Sequence, residues 1–237
     1  MNKKGTLYLI PTTLGTEAEI SESIPAIVGK IINEIDHYIV ENEKSARHFL
    51  KKMGIQKSLN EIVLYPLNTQ TNPEIYSSYL NAIEEGKNMG IISEAGCPCI
   101  ADPGAVIVKL AHQKKIKVVP LTGPSSILLA LMASGFNGQN FAFNGYLPKE
   151  KSDRIRKIKE LEKNIFQKQQ TQIFIETPYR NQHLLEDIIS TCDSNTLLCV
   201  ACDVTLPSEM IVTQSILEWK KKLPDIQKRP TIFLLYK

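Results

Sequence analysis

Apolar positions in the first half of the chain switch repeatedly between two spacings. Thr6-Leu7-Tyr8-Leu9-Ile10 is a short β-rich run, and Ile24, Ile27, Val28, Ile31, Ile32 and Ile35 then recur at steps of three and four, the signature of one apolar helical face. The pattern predicts strands over 6–10, 38–40, 61–65, 89–92 and 117–121. Asn42 is placed to cap a helix through Met53, with Gly54 at its left-handed stop, and Asn72 caps another that has Pro73 at its first position and Gly86 at its end. A further helix over 105–113 separates the fourth and fifth strands. Strands that alternate with helices in this way predict an α/β fold with an open parallel sheet.

The regular alternation ends at Thr122-Gly123-Pro124-Ser125, a cluster of helix and strand breakers. The domain boundary is expected there, with an N-terminal α/β domain over 1–121 and a smaller C-terminal mixed α/β domain over 122–237. In the second part the spacing predicts a buried helix over 127–133, capped by Ser125 or Ser126, and a long charged helix over 152–169. Another helix is expected over 179–190, and strands over 141–144, 173–176, 196–201, 210–213 and 231–236.

With 28 basic against 25 acidic side chains the formal charge is only +3, which excludes a polycation bound to nucleic acid by bulk charge. The apolar run over 127–133 is far shorter than the roughly 18 residues a membrane-spanning helix requires. Leu7-Tyr8-Leu9-Ile10 is also too short for the apolar region of a secretory signal. The 5 cysteines, an odd number, point to reduced thiols and a cytoplasmic protein. Cys97 and Cys99 lack the two-residue separation of zinc knuckles, and Cys199 and Cys202 lie in an apolar run typical of a buried strand, so no metal site is expected.

Open parallel sheets bind ligands beyond the carboxyl ends of their strands, so attention falls on the loops after strands one, four and five. The chain has no G-x-G-x-x-G and no phosphate loop, which disfavours nucleotide phosphates as the main ligand. Two turns, Gly96-Cys97-Pro98 and Asp102-Pro103-Gly104, bracket the second loop. Charge is concentrated over 149–163, and Ile155, Ile158, Leu161 and Ile165 are expected to form the buried stripe of that helix. Lys151, Arg154, Arg156, Lys157 and Lys159 are left to solvent, either as a solvated helical face or as a phosphate-contacting edge.

Several of these segments in order resemble the tetrapyrrole methylase superfamily, and within it the branch that methylates small-subunit ribosomal RNA. GTLYLIPTTLG is similar to that branch's opening strand and loop, ISEAGCPCIADPG to its I-S-D-A-G-T-P-x-I-S-D-P-G, and PLTGPSSILLALMASGF to its P-x-P-G-P-S-A segment and helix. FNGYLPKEKSDR, IFIETPYR and ACDVT resemble F-x-G-F-L-P-x-K-x-x-R, E-S-P-H-R and A-R-E-L-T. The resemblance implies a two-domain fold, a five-stranded Rossmann-like domain followed by a smaller mixed domain, with S-adenosylmethionine as methyl donor in the cleft between them. Carried over position by position, the donor site comprises Leu14, Cys97, Pro98, Ile100, Ser125, Ser126, Ile127, Ile175, Glu176, Ala201, Cys202 and Pro230. It further implies a homodimer, ribose methylation of small-subunit ribosomal RNA, and an acceptor surface that the charged helix supplies through Lys151, Arg154 and Arg156. A tetrapyrrole or other small-molecule acceptor, or a module that binds donor and RNA without turnover, is the alternative.

The chain departs from the branch on the acceptor side: Glu41-Asn42-Glu43-Lys44 stands for E-D-T-R, Ala201-Cys202-Asp203 for A-R-E, and Lys228-Arg229-Pro230 for K-G-E. No nucleophilic triad is legible. Glu41, Glu94 and Glu176 are the candidates for taking up a hydroxyl proton.

Overall fold

The computed structural model describes residues 3–237, which divide into two compact units, one reaching to Ser125 and the other Ser126–Lys237. The first unit holds a five-stranded sheet of β1 (Thr6–Ile10), β2 (His37–Val40), β3 (Val63–Pro66), β4 (Met89–Ile92) and β5 (Lys117–Pro120). Its strand order is β3-β2-β4-β1-β5, and every pairing is parallel. Successive side chains of a strand point to opposite faces. Leu7, Ile39, Met89 and Ile91 therefore bury against one helical layer that includes Leu80, Ile83 and Ile107. Ile10, Tyr38, Val40 and Ile92 bury against the other, with Val28, Ile32, Phe49 and Leu50. The two strands that end in proline, β3 and β5, are the sheet edges, where a missing ladder donor costs least.

Two helices differ from the spacing. The isoleucine-rich stretch is helical only over α2 (Ala26–Asn33), with a separate turn α1 (Ile20–Ser23) before it, because Pro25 forces Ile24 into extended backbone, φ −111° and ψ 117°. The segment after Asn72 begins as a 3-10 helix, Pro73–Leu80, and becomes α-helical only in α4 (Asn81–Glu84). By contrast α3 (Glu43–Lys52) starts as expected, with the Asn42 side chain accepting from the Lys44 and Ser45 amides at 2.9 and 3.3 Å. The last helix of the unit is α5 (Ala105–Gln113).

The second unit opens with α6 (Ser126–Ser134) and builds a mixed sheet from β6 (Phe141–Tyr146), β7 (Thr171–Ile175), β8 (Leu197–Cys202), β9 (Met210–Ser215) and β10 (Thr231–Tyr236). The order is β6-β7-β10-β8-β9, with β6 and β7 parallel and the other pairs antiparallel. The helices α7 (Lys151–Lys168) and α8 (Asn181–Thr191) close one core with Phe174, Val200 and Phe233. A one-turn helix that the periodicity does not announce, α9 (Ile216–Trp219), is fixed by a reciprocal cap between Ser215 and Glu218, and Trp219 Nε1 donates to the Leu198 carbonyl at 2.9 Å.

On α7 the buried stripe is Arg154, Ile158, Leu161 and Ile165. Arg154 therefore does not face solvent, which corrects the expectation that it lies on an acceptor surface. Its Nε and Nη2 donate to Asp187 Oδ2 at 2.8 and 2.6 Å, and Nη1 donates to the Pro148 and Lys149 carbonyls at 3.2 and 2.6 Å. A buried guanidinium is tolerated because its donors are met by a buried carboxylate and by chain carbonyls.

Candidate functional site

Because β1 lies between β4 and β5, the loops that leave their carboxyl ends are neighbours. Thr12 N–H donates to the Gly96 carbonyl at 3.0 Å, and Ser93 Oγ donates to the same oxygen at 2.6 Å. Gly96 has φ +70°, and a Cβ there would stand 2.9 Å from Leu14 Cδ2 and 3.0 Å from the Pro124 carbonyl oxygen. Only glycine meets both demands. The Cys97 thiol donates to the Pro124 carbonyl at 3.4 Å, so Leu14, Cys97 and the segment entering Ser125 come together in the first unit. Burial pushes the Cys97 thiol up, which keeps it neutral. Pro98 is buried beside it, whereas Ile100 is 51% exposed. Cys99 and Ala101 hold left-handed backbone, φ +68° and +62°, at a cost of roughly 1–2 kcal/mol per residue for a side chain with a Cβ. Strained backbone of this kind clusters at ligand-binding loops.

A second feature at the carboxyl ends of the same strands escapes the sequence. Glu41 and Asp102, with Ser93, Pro98 and Cys99, line a cavity of about 20 Å³, room for about one water molecule. Asp102 Oδ2 is buried without a hydrogen-bond partner among the described residues. Burial first, then the charges of Glu41 and Glu94, push the Asp102 carboxyl up to about 6. Glu41 is also raised, by burial and by Glu94. Since the Asp102 carboxyl is raised above its ordinary 3.8, the folded state keeps a proton that the unfolded chain gives up, so stability present below that value is lost as pH rises through about 6. Urea midpoints should therefore fall between pH 4 and pH 7, and more steeply than in Asp102→Asn; equal slopes in the two proteins would refute the buried-carboxylate account.

A larger cavity of about 420 Å³ lies between α3 and the loops after β1 and β4, with Thr12, Thr13, Lys44, His48, Lys52 and Glu94 among its lining residues. Lys52 is already engaged: its ammonium donates to the Thr16 and Ala18 carbonyls at 3.1 and 2.7 Å and straps the first loop to the helix. Glu94 accepts from Ser45 Oγ at 2.6 Å. The available signal was the i, i+4, i+8 spacing of Lys44, His48 and Lys52, which puts them on one helical face.

In the second unit β7 and β8 are each antiparallel to β10, so the ends of the first two and the start of the third coincide. Ile175 and Ala201 both pair with Ile232, and Cys202 pairs with Thr231. This brings Ile175, Glu176, Ala201, Cys202 and Pro230 to one end of the sheet, where β7 and β8 finish and β10 begins. Glu176 is buried, and its Oε1 accepts from the Thr177 amide at 2.6 Å and from the Arg180 guanidinium. That carboxylate is committed to positioning the turn after β7, which argues against its use as a base. Ser126 and Ile127 open α6. Lys151 and Arg156 remain on the surface, their side chains 73% and 80% exposed. All 5 cysteines are free, and among the described residues no three His, Cys, Asp or Glu side chains are grouped to hold a metal.

The chain is 30% identical over 238 residues to ribosomal RNA small subunit methyltransferase I of Buchnera aphidicola subsp. Schizaphis graminum, covering 99% of this chain and 79% of that protein. To the protein of the same name from Escherichia coli O157:H7 it is 28% identical, covering 99% and 78%. No family model matches the chain. Among solved structures, the methyltransferase CobJ superposes with a TM-score of 0.65 at 16% identity, over 98% of this chain and 94% of that one. Cobalt precorrin-4 methyltransferase CbiF does so at 0.62 and 13%, again over 98% and 94%. These two have the same two-part α/β fold.

Proposed function

This chain belongs to the ribosomal RNA small subunit methyltransferase I family and is a methyltransferase, and we propose that it moves the methyl group of S-adenosylmethionine to a ribose hydroxyl of small-subunit ribosomal RNA. The observation that carries the reading is the interlocked set of loops after β1, β4 and β5. Leu14, Cys97, Pro98 and the Gly123-Pro124 backbone present apolar surface, a neutral thiol and carbonyl oxygens, with no lysine or arginine among them. That set fits a donor that carries a positive sulfonium and no phosphate. Leu14, Cys97, Pro98, Ile100 and Ser125 of the first unit would hold it; Ser126, Ile127, Ile175, Glu176, Ala201, Cys202 and Pro230 are the further donor residues that the family resemblance implies.

When bound, S-adenosylmethionine supplies a methyl group already activated toward displacement. The residues of the chain have three tasks: to place the acceptor oxygen in line, to exclude water, and to receive the hydroxyl proton. Glu41 and Glu94 are the better proton acceptors of the three expected, because Glu176 is held by Arg180 and the Thr177 amide. Lys151 and Arg156 remain candidates for RNA phosphates, and Arg154 supports their helix from inside.

The test is tritium transfer from labelled S-adenosylmethionine into total RNA. RNA from cells lacking the protein should accept label in its small-subunit fraction, and wild-type RNA, already modified, should not. Label in neither, from folded protein that binds the donor, would favour a binding module; label only in a small-molecule fraction would favour a tetrapyrrole-type acceptor.

A cytoplasmic location and a two-fold dimer belong to the same reading. The first rests on the reduced thiols expected of an odd number of cysteines; separately, no described helix is long and apolar enough to cross a membrane. For the second, α6 offers support: Leu128 and Met132, one turn apart on that helix, are 50% and 77% exposed, an apolar pair that a second surface would cover. Light scattering at micromolar concentration should give twice the 26.6 kDa chain mass.

A further inference from the structure

None of the residues carried over for the donor lines the cavity of about 420 Å³ beside α3. Its size falls within the roughly 300–1,000 Å³ of sites that take one small ligand group. Its chemistry is lopsided. Lys44, His48 and Lys52 contribute from one helical face, and Glu94 is the acidic lining residue. Among the described residues the Lys44 ammonium and the His48 ring have no hydrogen-bond or ion-pair partner. The N-terminal turn of α3 adds the positive end of its dipole on the same side, and Phe49 and Ile92 supply apolar lining. The Lys52 strap and the Asn42 cap hold these walls in place before any ligand arrives, which lowers the ordering cost of binding.

We propose that this pocket takes one nucleotide of the acceptor RNA, with its backbone phosphate on Lys44 and His48 and its sugar hydroxyls toward Glu94. The proposal rests on the reading of the chain as an RNA methyltransferase and locates where that acceptor is gripped. A point cation with free donors suits a phosphodiester. A pocket of this volume admits one unstacked nucleotide rather than a duplex, as expected for single-stranded RNA recognition.

The experiment follows the anisotropy of a short fluorescein-labelled single-stranded RNA of mixed sequence, titrated with the full chain over a series of salt concentrations. For each phosphate contact on a single strand, log affinity falls against log salt with a slope of about −0.7. The Lys44→Gln/His48→Gln double variant should bind at least tenfold more weakly at low salt, with a slope shallower by about 0.7. Lys109→Gln, which removes the same charge from the exposed face of α5, should change neither. Circular dichroism and urea midpoints establish that each variant is folded. If wild type shows no salt-dependent RNA binding, the RNA reading fails and takes the pocket assignment with it. If wild type binds and the double variant keeps both affinity and slope, the pocket assignment alone is overturned. If cytidine or uridine monophosphate displaces the RNA at matching nucleotide concentration, the site serves free nucleotides and the proposal is again wrong.

Discussion

Arg154→Met should lower the unfolding free energy by about 3–5 kcal/mol, the usual cost of breaking a buried ion pair from one side. The substitution keeps the bulk of the side chain on the stripe with Ile158, Leu161 and Ile165 but strands the Asp187 carboxylate, whose Oδ2 accepts both Nε and Nη2. It also leaves the Pro148 and Lys149 carbonyls without their Nη1 donor, which loosens the entry into α7. Lys151 Nζ, 3.6 Å from Asp187 Oδ1, compensates little because its side chain is 73% exposed. Urea unfolding measures the loss. Adding Asp187→Leu should recover a large part of it, since the unpaired charge and not the missing packing is the main penalty. A loss under about 1 kcal/mol in the single variant would mean that the pair contributes no more than an exposed one.

Gly123→Ala should weaken S-adenosylmethionine binding at least tenfold, about 1.4 kcal/mol, while leaving a folded protein. A Cβ at Gly123 would lie 2.2 Å from Pro11 Cβ and 2.3 Å from Pro11 Cγ, and the ring of a buried proline at the end of β1 has no rotamer by which to withdraw. The segment from Gly123 to Ser125 must move instead. That movement separates the Gly123 and Pro124 carbonyls from the Cys97 thiol, now 3.8 and 3.4 Å away, and disturbs the loops proposed to hold the donor. Overpacking of this kind costs roughly 1–3 kcal/mol of stability. Gly138→Ala is the control, because a Cβ there meets nothing within 4 Å. Calorimetry with the donor and its demethylated product reads the affinities, and an unchanged value in Gly123→Ala would move the donor away from these loops.

Much of the first sheet is legible in the sequence because local signals and burial agree there. The β-rich runs stand at β1, β2, β4 and β5, and Asn42 is a cap by its own side chain, whatever the rest of the fold does. Legibility drops where two local rules compete. Isoleucines at helical spacing run through Pro25, and the proline, which sterically bars helical backbone at Ile24, prevails over the periodicity. On α7 the stripe slips by one residue: Ile155 and Arg154 are adjacent, 100° apart around the helix, and hydrophobicity alone selects the isoleucine.

Local sequence alone set the β-rich runs that become β1, β2, β4 and β5 and the Asn42 cap of α3, since each depends on contacts within a few residues. Tertiary structure decided the rest. Arg154 is buried because Asp187, on another helix, meets it with a carboxylate, and a guanidinium enters a core only where such a partner waits. Asp102 holds its proton to about pH 6 because the loop after β4 folds it away from water, where the charges of Glu41 and Glu94 reach it. The pocket beside α3 exists because β1, β2 and β4 end side by side, so that a helix following one strand faces the loops following the other two. Desolvation and cavity shape arise from residues distant along the chain, and no window of the sequence contains them.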